Sequence, residues 1–200
     1  MALLIEQSRH KFFDDLANYL VCMISTTLTH ELYIAGSAGK YSSNHIVQID
    51  GKQVGRRFKF YPSNLLDEFF IKLVLPVQIR YDEELVTIDP GARLNLSVYE
   101  RPLYAFAQAM FVNYFERYRL YIEQKHGADP SKWPAVWNFA RVVRNTVAHG
   151  GCVHFHSASA SAASWRGLTY SPSDNGRKVL FDDLWIGDLI YLMMDMDAQL

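Results

Sequence analysis

Cysteine is nearly absent: Cys22 and Cys152 are the only two in 200 residues. They lie far apart and lack metal-type spacing. A reducing compartment is the simpler reading, with pairing of the two left open. An excess of either charge is missing too. Twenty Lys and Arg face 21 Asp and Glu, for a formal net charge of −1. The chain as a whole therefore has no generic pull towards a polyphosphate, and nucleic-acid contact would need a local basic cluster. The opening MALLIEQSRHKFFDD has no basic region followed by a long apolar run, so no signal peptide is expected. The most apolar segment, LANYLVCMISTTL, is too short for a bilayer and is flanked by Asp14, Asp15, His30 and Glu31. The expectation is a cytoplasmic chain without a membrane partner. No internal repeat, phosphate loop, dinucleotide fingerprint or Ser/His/Asp order stands out.

What is present is apolar material. Half of the residues are hydrophobic and 14% are aromatic, enough for a real core. Helical spacing of Phe12, Phe13, Leu16, Tyr19, Leu20, Met23, Ile24 and Leu28 predicts a long amphipathic helix from about Glu6 to Tyr33. AGSAGKYSSN breaks it. HIVQIDGKQVGRRFKFYP reads as a β-hairpin turning at Asp50-Gly51. SNLLDEFFIKLVLP reads as a short helix capped by Ser63 or Asn64. The stretch from Val77 to Glu100 reads as mostly irregular. After Pro102 comes the clearest helix, with a stripe of Phe106, Met110, Phe111, Tyr114, Phe115, Tyr118 and Tyr121, closed by Gly127. The next begins near Asp129 or Ser131 and stops at Gly150-Gly151. A Ser/Ala tract from Ser157 to Ser164 reads as a loop. WRGLTYSPSDNGRKVLF reads as a second hairpin turning at SPSDNG, and a final helix begins near Asp182 or Asp183. The expected fold is mainly α: an antiparallel helical bundle with added β-hairpins, in one domain over residues 1–200. Its core would span about residues 102–200, with residues 36–100 as insertion or decoration.

The stretch FARVVRNTVAHGG carries the chemistry. On a helix, Val136, Phe139, Ala140, Val143 and Val147 share one side. Arg141, Asn145 and His149 stack along the opposite side, with Arg144 beside them and no acid in the ridge. Arg offers a planar fork that suits phosphate. His titrates near neutrality. Together they suit metal-free RNA cleavage: the imidazole moves the proton of a 2′-hydroxyl or a leaving 5′-oxygen, and the guanidinium stabilises charge on the phosphate. A symmetric dimer would supply two of each group in one cleft. The competing structural role is a helix C-terminal cation with Arg stems covering apolar surface.

RNTVAHG resembles the signature of the HEPN superfamily: Arg, a polar residue, a short spacer, then His near a helix end. Arg144, Asn145 and His149 match it, and Gly150 follows as is common there. The resemblance covers the second half of the chain. It implies an α-helical bundle, often dimeric, acting as a metal-independent endoribonuclease in toxin–antitoxin, abortive-infection or RNA-processing settings. Other members are non-catalytic modules that bind nucleotides, nucleic acid or protein. It implies Arg144 on the scissile phosphate, His149 as general base or acid, and Asn145 orienting the pair or bonding substrate. Arg141, His154 and His156 are expected to bind substrate. RNA, a second copy of the chain and an antitoxin protein are the expected partners, with no cofactor.

Three further groupings have competing readings. Cys152, His154 and His156 would share one face of a strand. Three such ligands point in parallel and do not converge on a tetrahedral ion, and a fourth is missing, so no metal is expected. GRRFKF carries Arg56, Arg57 and Lys59, read as a solvated face opposite buried Phe residues in preference to a stacking platform for single-stranded nucleic acid. The tail acids Asp182, Asp183, Asp188, Asp195 and Asp197 read as one cap and otherwise solvated side chains.

Overall fold

A computed structural model describes residues 3–35, 46–61, 65, 68–69, 72–98 and 100–200. The expected break at residues 36–44 and the caps Ser63 and Asn64 lie outside the described residues. The chain opens with strand β1 (Leu3–Glu6), followed by helix α1 (Phe13–Ala35). Strands β2 (Val47–Gly51), β3 (Arg56–Phe60) and β4 (Gln78–Leu85) come next, then helix α2 (Glu100–His126). Helix α3 (Ala135–Ala148), the short strands β5 (Ala163–Trp165) and β6 (Leu168–Tyr170), and helix α4 (Ile186–Asp197) complete it. The fold is therefore mixed α/β and not the mainly helical bundle expected. Four strands form one antiparallel sheet in the order β1-β4-β3-β2, and β5-β6 form a second, two-stranded one.

The region expected to be decoration is part of the core. Ile49, Phe58, Phe60, Ile79 and Tyr81 are buried in the same hydrophobic cluster as Phe111, Tyr114, Trp137 and Leu192. Alternation explains the sheet. Phe58 and Phe60 point inward, and Phe58 stacks on Tyr191 of α4 at 4.6 Å between ring centres. Arg57 and Lys59 occupy the other face and pair with Asp50 and Glu84, while Arg56, at the end of the Phe58 face, pairs with Glu83. GRRFKF is thus a polar face of Arg57 and Lys59 over a buried one of Phe58 and Phe60, with Arg56 at the rim of the latter. The stretch read as irregular holds β4, which lies between β1 and β3. The hairpin is real, but its turn is Lys52–Gly55. Asp50 and Gly51 belong to β2, and Gly55 carries the positive φ (61°).

The helices pack by most of their predicted stripes, but on α2 Phe106 and Tyr121 are exposed while Leu103, Ala107 and Ile122 are buried. Asp14 and Asp15 open α1, where negative charge suits the positive end of the helix dipole. Asp15 is buried and takes both Arg117 nitrogens at 3.1 Å, joining α1 to α2. Ser97 and Glu100 exchange hydrogen bonds at the start of α2, in the capping-box pattern. Trp137 of α3 donates to the Met196 carbonyl of α4 at 3.2 Å, and Phe139 stacks on Tyr170 of β6.

The tail departs from expectation. Asp182 and Asp183 do not cap α4; Trp185 is the N-cap and Asp188 closes the capping box. Asp188 is fully buried and accepts from the backbone N–H groups of Lys52, Val54 and Trp185 at 2.8–2.9 Å. It fastens the β2–β3 turn to α4. Asp195 pairs with Arg166, and Asp197 accepts from the Tyr114 hydroxyl. The second hairpin turns at Arg166-Gly167, where both residues have positive φ (46° and 84°), as a two-residue primed turn requires. SPSDNG instead forms a 3-10 turn after β6. Among the described residues, both cysteines are free thiols and no helix is long and apolar enough to cross a membrane.

Candidate functional site

Helix α3 presents two neighbouring features. The first is a cleft of about 380 Å³ between α3, α2 and the segment that joins them, within the size range of small-ligand sites. Arg141, Arg144 and Asn145 line it from α3; Glu116, Arg119 and Glu123 line it from α2; Trp133 forms part of its wall. The ridge expected to lack acids meets one from across the cleft. Arg144 Nε lies 2.6 Å from Glu116, and Arg119 bridges Glu116 at 3.3 Å and Glu123 at 2.6 Å. Arg144 also reaches the Asn145 side-chain oxygen at 3.5 Å. Arg141 differs. Its guanidinium binds only the Asn138 side-chain oxygen, at 3.2 and 3.0 Å, and has no carboxylate partner among the described residues. Burial alone pulls its pKa below the usual guanidinium range. Three guanidiniums against two carboxylates leave the cleft net positive.

The second feature stands at the end of α3. His149 is the C-cap, its N–H bound to the carbonyls of Asn145 and Thr146. Gly150 and Gly151 follow with φ of 65° and 83°, a left-handed pair that side chains resist. Gly151 N–H returns to the Thr146 carbonyl at 2.7 Å, so the chain reverses at once. A Cβ on Gly151 would also lie 2.9 Å from the Lys178 amine. Beyond the reversal, residues 152–156 run extended beside residues 175–178. Val153 exchanges backbone hydrogen bonds with Gly176 and Arg177, and Asn175 brackets the Phe155 backbone. Val153 and Phe155 point into the core, so His154 and His156 face outward together.

The reversal carries those two imidazoles back onto His149. The rings of His149 and His154 stack at 3.9 Å and 23°, and those of His154 and His156 meet edge-on at 4.6 Å. His154 Nε2 lies 3.3 Å from His156 Nδ1. One ring nitrogen from each of the three lies within 4.8 Å of the others. Burial first, then the neighbouring His149 and His156 rings, lowers the His154 pKa from its ordinary value, which favours the neutral ring.

Of the six predicted residues, Arg141, Arg144 and Asn145 share the cleft, while His149, His154 and His156 form the cluster. His149 does not line the cleft. Arg144 and His149 are separated by about 7.5 Å of helix axis, five residues at the α-helical rise. Glu116, Arg119 and Glu123 were missed because α2 supplies them across the cleft. His154 and His156 read as cleft neighbours of His149 because they follow it closely in the chain; the reversal at Gly150 and Gly151 brings the three rings together, outside the cleft. Cys152 does not join the cluster. No family model matches the chain, and no curated protein or solved structure does either.

Proposed function

We propose that this chain binds single-stranded RNA along α3 and cleaves it in the manner of HEPN-like endoribonucleases. The observation that carries the reading is Arg141. It is a half-buried guanidinium without a carboxylate, in the same cleft as Arg144 and Asn145, on a helix that ends in three imidazoles. A phosphate in the cleft would give Arg141 the anion it lacks. The next phosphate of the strand would reach the helix end. There one imidazole takes the 2′-hydroxyl proton as the oxygen attacks phosphorus, and a second gives a proton to the departing 5′-oxygen. The products are a 2′,3′-cyclic phosphate and a 5′-hydroxyl. His149 is one partner; His154, whose neutral form burial favours, suits the base. Asn145 positions the strand or Arg144. A homodimer would double the cleft's positive charge, and an antitoxin-type protein is the partner such an activity calls for.

One observation favours a second reading. Glu116 holds Arg144 at 2.6 Å, which suits a non-catalytic module that binds RNA, a nucleotide or a protein. Untagged protein incubated with single-stranded RNA in EDTA separates the two. The cleavage reading expects cyclic phosphate ends and a loss of about 10²–10⁴-fold in rate for His149→Ala with the fold intact. Binding without cutting favours the module. Intact RNA and no binding overturn both.

A further inference from the structure

The three imidazoles at the end of α3 resemble a ligand set more than a chance surface grouping. We propose that His149, His154 and His156 form a binding site for one divalent transition-metal ion of the zinc class. The inference goes beyond the cleavage reading and does not need it.

Geometry carries the proposal. In a tetrahedral site with Zn–N bonds of 2.0–2.1 Å, two ligand nitrogens stand about 3.4 Å apart. His154 Nε2 and His156 Nδ1 already stand 3.3 Å apart. The widest separation in the set, within 4.8 Å, must close by about 1.4 Å to reach that edge. His149 and His156 are exposed, so their rings have room to turn. The backbone beneath them is fixed. The left-handed glycine pair sets the reversal, and Val153 and Phe155 anchor the extended segment in the core. The parallel projection expected of a single strand is therefore overcome by a ligand from a helix end.

Charge points the same way. No Asp, Glu or Cys belongs to the group. Three protonated rings this close would repel one another, whereas three neutral rings offer lone pairs to one cation. Imidazole nitrogen suits Zn²⁺, Co²⁺, Ni²⁺ and Cu²⁺, while Mg²⁺ and Ca²⁺ prefer oxygen. Three protein ligands leave a fourth position for water, the arrangement of an open site. An ion there would take the lone pair that the cleavage reading assigns to His154 as the base. Zinc would then silence metal-free cleavage.

The test uses the full chain without a polyhistidine tag, stripped with chelator and then titrated with Co²⁺ and Zn²⁺. The expected result is one equivalent bound, with the visible absorption of low-symmetry Co²⁺ bleached by Zn²⁺. His154→Ala and His156→Ala should each weaken Zn²⁺ by at least about 100-fold, the upper end of what losing only an outer-shell partner costs. Cys152→Ser should bind as wild type. Circular dichroism checks that each variant folds, and His149→Gln repeats the measurement from the helix side. No stoichiometric binding by the wild type overturns the proposal, as does binding that survives His154→Ala and His149→Gln. The outcome is independent of RNA. Metal binding with no cleavage under any condition sinks only the nuclease reading; cleavage in EDTA by a chain that binds no metal sinks only the metal site.

Discussion

Arg141 and Glu116 hold opposite positions in the α3 cleft. Arg141 has lost water without gaining an acid, while Glu116 engages both Arg144 and Arg119. Replacing Arg141 with Met keeps the apolar stem and removes the charge. If the cleft binds RNA phosphates, Arg141→Met should weaken an RNA oligonucleotide and lower the salt slope of log K by about 0.7, one phosphate contact on a single strand. Fluorescence anisotropy across a salt series reads both. Glu116→Gln should do the reverse, tightening RNA by about 2–5-fold, because a partly exposed ion pair holds less than about 1 kcal/mol. Unchanged affinity in both variants would place RNA elsewhere. Helical spacing made Arg141, Arg144 and Asn145 legible as cleft neighbours. The acids were not legible, because periodicity within one helix says nothing about the helix packed across from it.

Asp188 shows the same limit among elements. A carboxylate five or six residues past the expected cap reads as solvated, yet it is the buried clasp between α4 and the β2–β3 turn. Asp188→Asn keeps the shape but places an amide against N–H donors. The expected loss is about 3 kcal/mol, read by urea denaturation. Burial pushes the Asp188 carboxyl up to about 6, against backbone N–H groups that pull it down. The folded chain then holds a proton between about pH 4 and pH 6 that the unfolded chain has released. That contribution, about 3 kcal/mol, is complete below about pH 4 and is lost as pH rises through 6. The Asn variant should lack this slope. Gly187, just before it in the chain, approaches β2 so closely that a Cβ would lie 2.5 Å from the Asp50 carbonyl carbon. Gly187→Ala should therefore cost several kcal/mol, since backbone on both sides cannot yield. The three long helices were legible because their stripes run for several turns. Strand β1 has only four residues, and β4 carries Arg80, Asp82, Glu83 and Glu84, so neither gives an apolar alternation long enough to read. The hairpin's turn was misplaced because Asp50-Gly51 has the composition of a tight turn but sits inside β2.

At the scale of the molecule, the sheet and the motif-bearing helices share one core. Phe58 stacks on Phe60 and Tyr191 and lies beside Tyr81. Phe58→Ala should cost about 3–5 kcal/mol, measured by thermal unfolding. A fragment of residues 100–200 should lack a cooperative transition, because α4 would expose the face that covers β2 and β3. The expected core lay at about residues 102–200; the buried cluster also takes in the sheet, and nothing in RNTVAHG reports on what packs behind its helix.

The wiring of the sheet also sets a tempo. β1 pairs with β4, Leu3 opposite Tyr81, and the Lys52 amide finds its acceptor 136 positions along the chain. Contacts of such long sequence separation form only after large loops have closed, so refolding should be slow, on the order of milliseconds to seconds. The clasp at Asp188 joins stretches far apart in the chain, and it should be among the last bonds made. Its removal should accelerate unfolding and leave the refolding limb of the chevron nearly unmoved.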